Sequence, residues 1–186
     1  MKTKHFVLTI LMIAFLLTGF ETFAQRRVVN TPRRTVVQTP IGTVVYRKRP
    51  TLRTVKRLPR KAVIIHYHNN PYYYHGGVYY TSRNGVYIRI APPIGIRVAV
   101  LPSDYLRLVI GPSVFFYVEG TFYVASETTS EYTVVAPPVG AIVYKLPESA
   151  AEIEINGKPF MECNGVIYKS VYVEKRAYEV VGTLEN

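Results

Sequence analysis

The sequence predicts an all-β fold: tandem antiparallel meander repeats of about 45 residues each. Three observations carry this. Leu58-Pro59, Leu101-Pro102 and Leu146-Pro147 are each followed, 19 residues after the Leu, by Gly77, Gly120 and Gly165, and three residues further on stands Tyr80, Tyr123 or Tyr168. The repeat starts are 43 and 45 residues apart, a period typical of arrays of supersecondary units. From residue 58 onward Val, Ile, Tyr, Phe and Thr dominate, and no run shows a helical period.

Residues 1–24 read as a secretory signal peptide. Lys2 and Lys4 form a positive start, Phe6 to Leu17 is apolar apart from Thr9, and Thr22-Phe23-Ala24 offers small residues for cleavage. The apolar run is shorter than the roughly 20 residues a spanning helix needs. The expectation is an exported chain starting at Gln25, in the periplasm or outer envelope of a bacterium, with no transmembrane helix after cleavage.

Residues 25–57 read as a basic extended segment. Val28-Val29, Val36-Val37 and Val44-Val45 recur every eight residues, interrupted by Pro32, Pro40 and Pro50, and Pro is excluded from central strands. Ten Lys and Arg, including Arg47, Lys48 and Arg49, keep the segment solvated. It reads either as a linker or as an arm docking on an anionic surface, poorly ordered in isolation. A short piece around Thr43–Tyr46 could add an edge strand to the first unit.

Three units follow, at 58–92, 93–137 and 138–186. Each opens with an apolar strand: Ala62–Tyr67, Tyr105–Ile110 or Ile153–Ile155. Turns at Asn69-Asn70-Pro71, Gly111-Pro112-Ser113 and Asn156-Gly157-Lys158 come next; Asn-Gly is a strong hairpin signal. An aromatic strand then leads to the turn at Gly77, Gly120 or Gly165, and two further strands complete each unit. Ala91-Pro92-Pro93-Ile94-Gly95 and Ala136-Pro137-Pro138-Val139-Gly140 join consecutive units. Four or five short strands suit a small Src-homology-3-like barrel; a continuous sandwich shared by all units is the alternative. A unit of this size is marginal alone, so the units should pack together.

Charge divides the chain. Residues 25–104 carry 15 Lys/Arg and one acid, Asp104, whereas residues 105–186 carry 6 Lys/Arg and 10 Glu. A basic half points to anionic partners. The single Cys163 forms no intramolecular disulfide and is expected to be partly buried and structural rather than a bridge between chains.

Tyr72-Tyr73-Tyr74-His75-Gly76-Gly77-Val78-Tyr79-Tyr80, then Tyr87, Ala91-Pro92-Pro93-Ile94-Gly95 and Leu101-Pro102, resemble a group of exported bacterial proteins classed as domain-of-unknown-function family 6515. The resemblance covers roughly residues 66–182. The third unit departs from it, with Met161-Glu162-Cys163 in place of aromatics. The resemblance implies export and a β-rich repeat; it carries no catalytic residues.

Candidate chemistry is sparse. His66 and His68 are two apart on a strand, with His75 across the hairpin, and three imidazoles could hold zinc or copper. The other units lack them, which favours plain surface histidines. Tyr73, Tyr79 and Tyr80 are candidate contacts for sugar or peptide, although Tyr also simply fits a half-buried sheet. No nucleophile or acid–base motif stands out, so neither an enzyme nor a cofactor is expected, and no nucleic-acid module is present. The leading expectation is a non-catalytic exported cell-envelope protein. Its β-repeats form a scaffold or binding module, and Arg47, Lys48 and Arg49 meet anionic envelope components or another envelope protein. A glycan- or peptide-binding module and a metal-binding periplasmic protein are the alternatives.

Overall fold

The computed structural model describes residues 28–30, 35–47 and 53–184, without the side chains of Val29 and Asn30. Its regular structure there is all β and antiparallel, with no helix. The signal-peptide stretch, Lys48 and Arg49 lie outside the described residues.

Each Leu-Pro pair opens a turn closed by the same bond. Ala62 N–H donates to the Pro59 carbonyl at 3.0 Å, Tyr105 to Pro102 at 3.3 Å, and Ala150 to Pro147 at 2.9 Å. A four-strand meander follows every time. In the first sheet the strands are β4 (Thr54–Val55), β5 (Val63–Tyr67), β6 (Asn70–His75), β7 (Val78–Arg83) and β8 (Val86–Ile90), in the order β4-β8-β7-β6-β5. The second contains β9 (Arg97–Val98), β10 (Leu106–Ile110), β11 (Ser113–Val118), β12 (Thr121–Ala125) and β13 (Tyr132–Val135), ordered β10-β11-β12-β13-β9. The third has β14 (Ile142–Val143), β15 (Ala151–Ile155), β16 (Lys158–Cys163), β17 (Val166–Val173) and β18 (Lys175–Thr183), ordered β15-β16-β17-β18-β14. In all three, a short strand laid down before the Leu-Pro turn pairs with the last strand of its meander. In the first sheet that strand is β4, which lies before residue 58.

The central hairpin of each sheet turns at the repeated glycine. Gly77, Gly120 and Gly165 have φ of 83°, 84° and 81°, each preceded by a second positive-φ residue, Gly76, Glu119 or Asn164. Two-residue hairpin loops of this kind match the right-handed twist of the flanking strands. The first turn of the first sheet differs from expectation: it is His68-Asn69, with φ of 47° and 62°, and Asn70-Pro71 already belong to β6.

The sheets stack face to face. One face of the first sheet, with Tyr74 and Tyr79, packs on Phe116, Val118, Tyr123 and Val134 of the second. The opposite face of the second sheet, with Tyr117, Phe122 and Leu106, packs on Cys163, Tyr168 and Val180 of the third. Burial of both faces against neighbours takes the place of curling a small sheet on itself. In none of the three do the outermost strands pair with each other, so no closed barrel is found among the described residues. The Src-homology-3-like picture does not describe these open sheets.

The basic segment departs most from expectation. β1 (Val28–Asn30), β2 (Thr35–Thr39) and β3 (Gly42–Tyr46) extend the third sheet, giving the order β1-β2-β3-β15-β16-β17-β18-β14. β3 pairs antiparallel with β15, Tyr46 opposite Ile153 and Val44 opposite Ile155. The valine pairs thus join the third unit, not the first. The reason is burial: Val37, Val44 and Tyr46 cover Ile153 and Ile167 on the face that no further repeat covers.

Candidate functional site

Pairing of β3 with β15 brings Arg47 onto the third sheet. Its backbone N–H donates to the Glu152 carbonyl at 3.3 Å. Lys158 opens β16, where Ile155 opposite Lys158 closes the Asn156-Gly157 turn. Lys169 and Arg176 come from the long β17–β18 hairpin, in which Lys169 faces Glu179 and Tyr172 faces Arg176. These four cations line one open cleft of about 420 Å³ with Glu152, Ser170, Phe160 and Met161.

All four are exposed, and none is in a salt bridge with another described residue. The two such bridges, Arg89–Glu119 at 3.0 Å and Arg97–Glu131 at 3.9 Å, lie on the other sheets. Arg176 lies over the Tyr178 ring, 5.7 Å from its centroid. Four cations to one carboxylate give the cleft a net positive lining, with Phe160 and Met161 as its apolar part. Exposure limits each contact, because charges 4 Å apart gain only about 1 kcal/mol in bulk water.

Among the residues named from sequence, Arg47 is therefore in a cleft and near other cations. Tyr73 and Tyr80 are opposite each other on the outer face of the first sheet, which no other sheet among the described residues covers. Tyr73 meets Tyr87 edge to face, ring centroids 5.0 Å apart. Tyr79 is not a surface contact. It is 1% exposed, and its hydroxyl accepts from Tyr123 at 3.2 Å across the seam between sheets. Alternation along β7 turns Tyr79 inward and Tyr80 outward.

The histidines do not converge. β5 ends at Tyr67, so His68 sits in the turn, stacked on Tyr67 with ring centroids 4.2 Å apart. His66 is exposed on β5 and His75 is half-buried at the end of β6. No group of three His, Cys, Asp or Glu able to hold a metal ion forms among the described residues. Cys163 is free, buried, and within 3.8 Å of Ser149 Oγ. Burial pushes its thiol up to about 11.

Lys158, Lys169 and Arg176 were not singled out from sequence. The available signal was local: four of the six Lys/Arg after residue 104 lie between Lys158 and Arg176, inside a half whose net charge is acidic.

The model of a family described as "Family of unknown function (DUF6515)" matches residues 18–184. No curated protein and no solved structure matches the chain.

Proposed function

The chain belongs to the family of unknown function DUF6515, and on that premise we propose from its own surfaces that it is a non-catalytic, exported envelope protein of a bacterium that binds anionic envelope material. The observation that carries this is the cleft of Arg47, Lys158, Lys169 and Arg176, whose cations form no salt bridge with a described residue and outnumber the one carboxylate, Glu152, that lines it. Phosphate groups of envelope lipids or acidic polymers suit it, since each Lys or Arg near an anionic surface is worth about 1 kcal/mol. The seams support a scaffold role: the strongly displaced titrations belong to buried tyrosines and Cys163, which pack sheets together.

Co-sedimentation with vesicles tests it. The chain is expected to sediment with vesicles containing phosphatidylglycerol at low salt, to be released at high salt, and to stay free of pure phosphatidylcholine. Changing Arg47, Lys169 and Arg176 together to Ala should weaken binding by about tenfold or more. Undiminished binding by that variant would sink the cleft as the site.

A second reading is a glycan- or peptide-binding module on the outer face of the first sheet. The Tyr73–Tyr87 contact beside Tyr80 supports it. Salt-insensitive retention on envelope polysaccharide, lost in Tyr73→Ala, would favour that reading over the first.

A further inference from the structure

We propose that the chain self-associates through the free edge of β5, with Val63–Tyr67 of one copy pairing antiparallel with the same strand of a second copy. This is independent of the anion cleft. β5 is the outer strand of the first sheet, and it pairs only with β6 among the described residues. Tyr67 opposite Asn70 closes the His68-Asn69 turn, so residues 63, 65 and 67 exchange bonds with β6. Pro71, opposite His66, has no N–H to give. The backbone groups of Ile64 and His66 therefore point away from the sheet.

The third sheet shows what such an edge accepts. By the same turn-closing register, Glu152 and Glu154 of β15 correspond to Ile64 and His66. The Glu152 carbonyl takes the Arg47 N–H, and Glu154 stands opposite Val45 of β3. The edge of β15 is thus already occupied by an antiparallel strand. The corresponding strand of the second sheet, β10, carries the charge of Arg107 at its outward position. Among the described residues β5 has neither a cover nor a guard: Val63 and Ile64 are 52% and 58% exposed, and no Lys, Arg, Asp, Glu or Pro lies between Val63 and Tyr67. Long apolar edges without such devices invite pairing.

A second copy fits by its own symmetry. With Ile65 opposite Ile65, Ile64 of each copy faces His66 of the other, so the outward backbone groups bond to each other. Lys61 falls opposite Asn69, and no like charges meet. An apolar groove of about 530 Å³ runs beside this edge, lined by Val63, Ile65, Val98 and Leu101. On the third sheet, Tyr46 of β3 stands against Ile153, the counterpart of Ile65; here Ile65 of the second copy would take that place. A contact of one strand pair buries less surface than most stable interfaces, so the dimer should be concentration-dependent.

Sedimentation equilibrium of the chain over a concentration series tests this, beside Ile64→Pro. Proline at 64 removes an outward N–H and no bond to β6, so the fold should persist; Ile64→Lys, which leaves the backbone intact, is the second variant. The expected result is a monomer–dimer equilibrium for the natural chain and a monomer for both variants, with unchanged circular dichroism. A chain that stays monomeric at millimolar concentration overturns the proposal. So does association that persists in Ile64→Lys, because the interface then lies elsewhere.

Discussion

Cys163 Sγ occupies the space over Gly120: a Cβ on that glycine would lie 2.7 Å from the sulfur. The second and third sheets meet at this point, and the residue two before one repeated glycine rests on the glycine of the repeat before. Gly77 meets Val118 in the same way, whereas a Cβ on Gly165 would touch nothing. Three residues with nearly the same backbone therefore differ in surroundings. Alanine at any of them costs about 1–2 kcal/mol for positive φ. At Gly77 and Gly120 overpacking should add about 1–3 kcal/mol. Urea melts of the three Gly→Ala variants should rank Gly165→Ala as the mildest; equal losses would show that the sheets do not meet at these glycines.

The same contact shields the thiol. Cys163 is 2% exposed, and burial raises its pKa to about 11, so little thiolate exists at neutral pH. A thiol reagent such as dithionitrobenzoate should react with it slowly in the folded chain and promptly in denaturant. Equal rates would contradict the burial.

Tyr123 and Tyr168 occupy equivalent positions but differ in polar partners. The Tyr123 hydroxyl donates to Tyr79 at 3.2 Å, while the buried Tyr168 hydroxyl interacts with the Tyr117 phenol but makes no hydrogen bond of good geometry to a described residue. Tyr123→Phe should cost about 1 kcal/mol or more, and Tyr168→Phe should be neutral or stabilising. Thermal denaturation of the two variants measures the contrast.

Alkali should unfold the protein. Desolvation raises the pKa of Tyr74, Tyr79, Tyr117, Tyr123 and Tyr168 above the usual 10.0. Below pH about 10 these phenols are protonated in both states, and their contribution to stability is complete. Above it the unfolded chain ionises first, so stability falls as pH rises toward the folded-state values. Phenolate absorbance should rise for exposed tyrosines first, with the buried set appearing together with loss of circular dichroism. A gradual titration of all tyrosines while the fold persists would count against their burial.

Val44 is fully buried and packs with Val37, Tyr46, Ile153 and Ile167. Val44→Ala should lower stability by about 2 kcal/mol, in line with other losses of buried methyl groups. A solvated arm would show no change in a calorimetric melt.

The turns were legible because their signals are local. Leu-Pro fixes a turn within four residues, and Gly77, Gly120 and Gly165 fix hairpins whose two central residues must both take positive φ. Strand content followed from composition. Pairing between distant segments left no such trace. Val44-Val45 flanked by prolines looks the same in a linker as in a strand on β15. Whether Tyr79 or Tyr80 turns inward depends on which face the next sheet covers, a matter of tertiary packing. Arg47 was visible as part of a basic run. Lys158, Lys169 and Arg176 join it only through the registers of β15 to β18, and they sit among glutamates that mask them in a count of charge.

The β3–β15 pair also has a kinetic consequence. Its partners lie near opposite ends of the chain, with two complete sheets between them. Closing so large a loop is slow, and it cannot begin until the third repeat has been synthesised. During synthesis the β2–β3 hairpin has no β15 to pair with, and the edge of β15 that faces away from β16 stays bare until the hairpin returns. Docking of the β2–β3 hairpin on β15 is then a late event in folding, and until it happens two strand edges stand open to pairing with other chains.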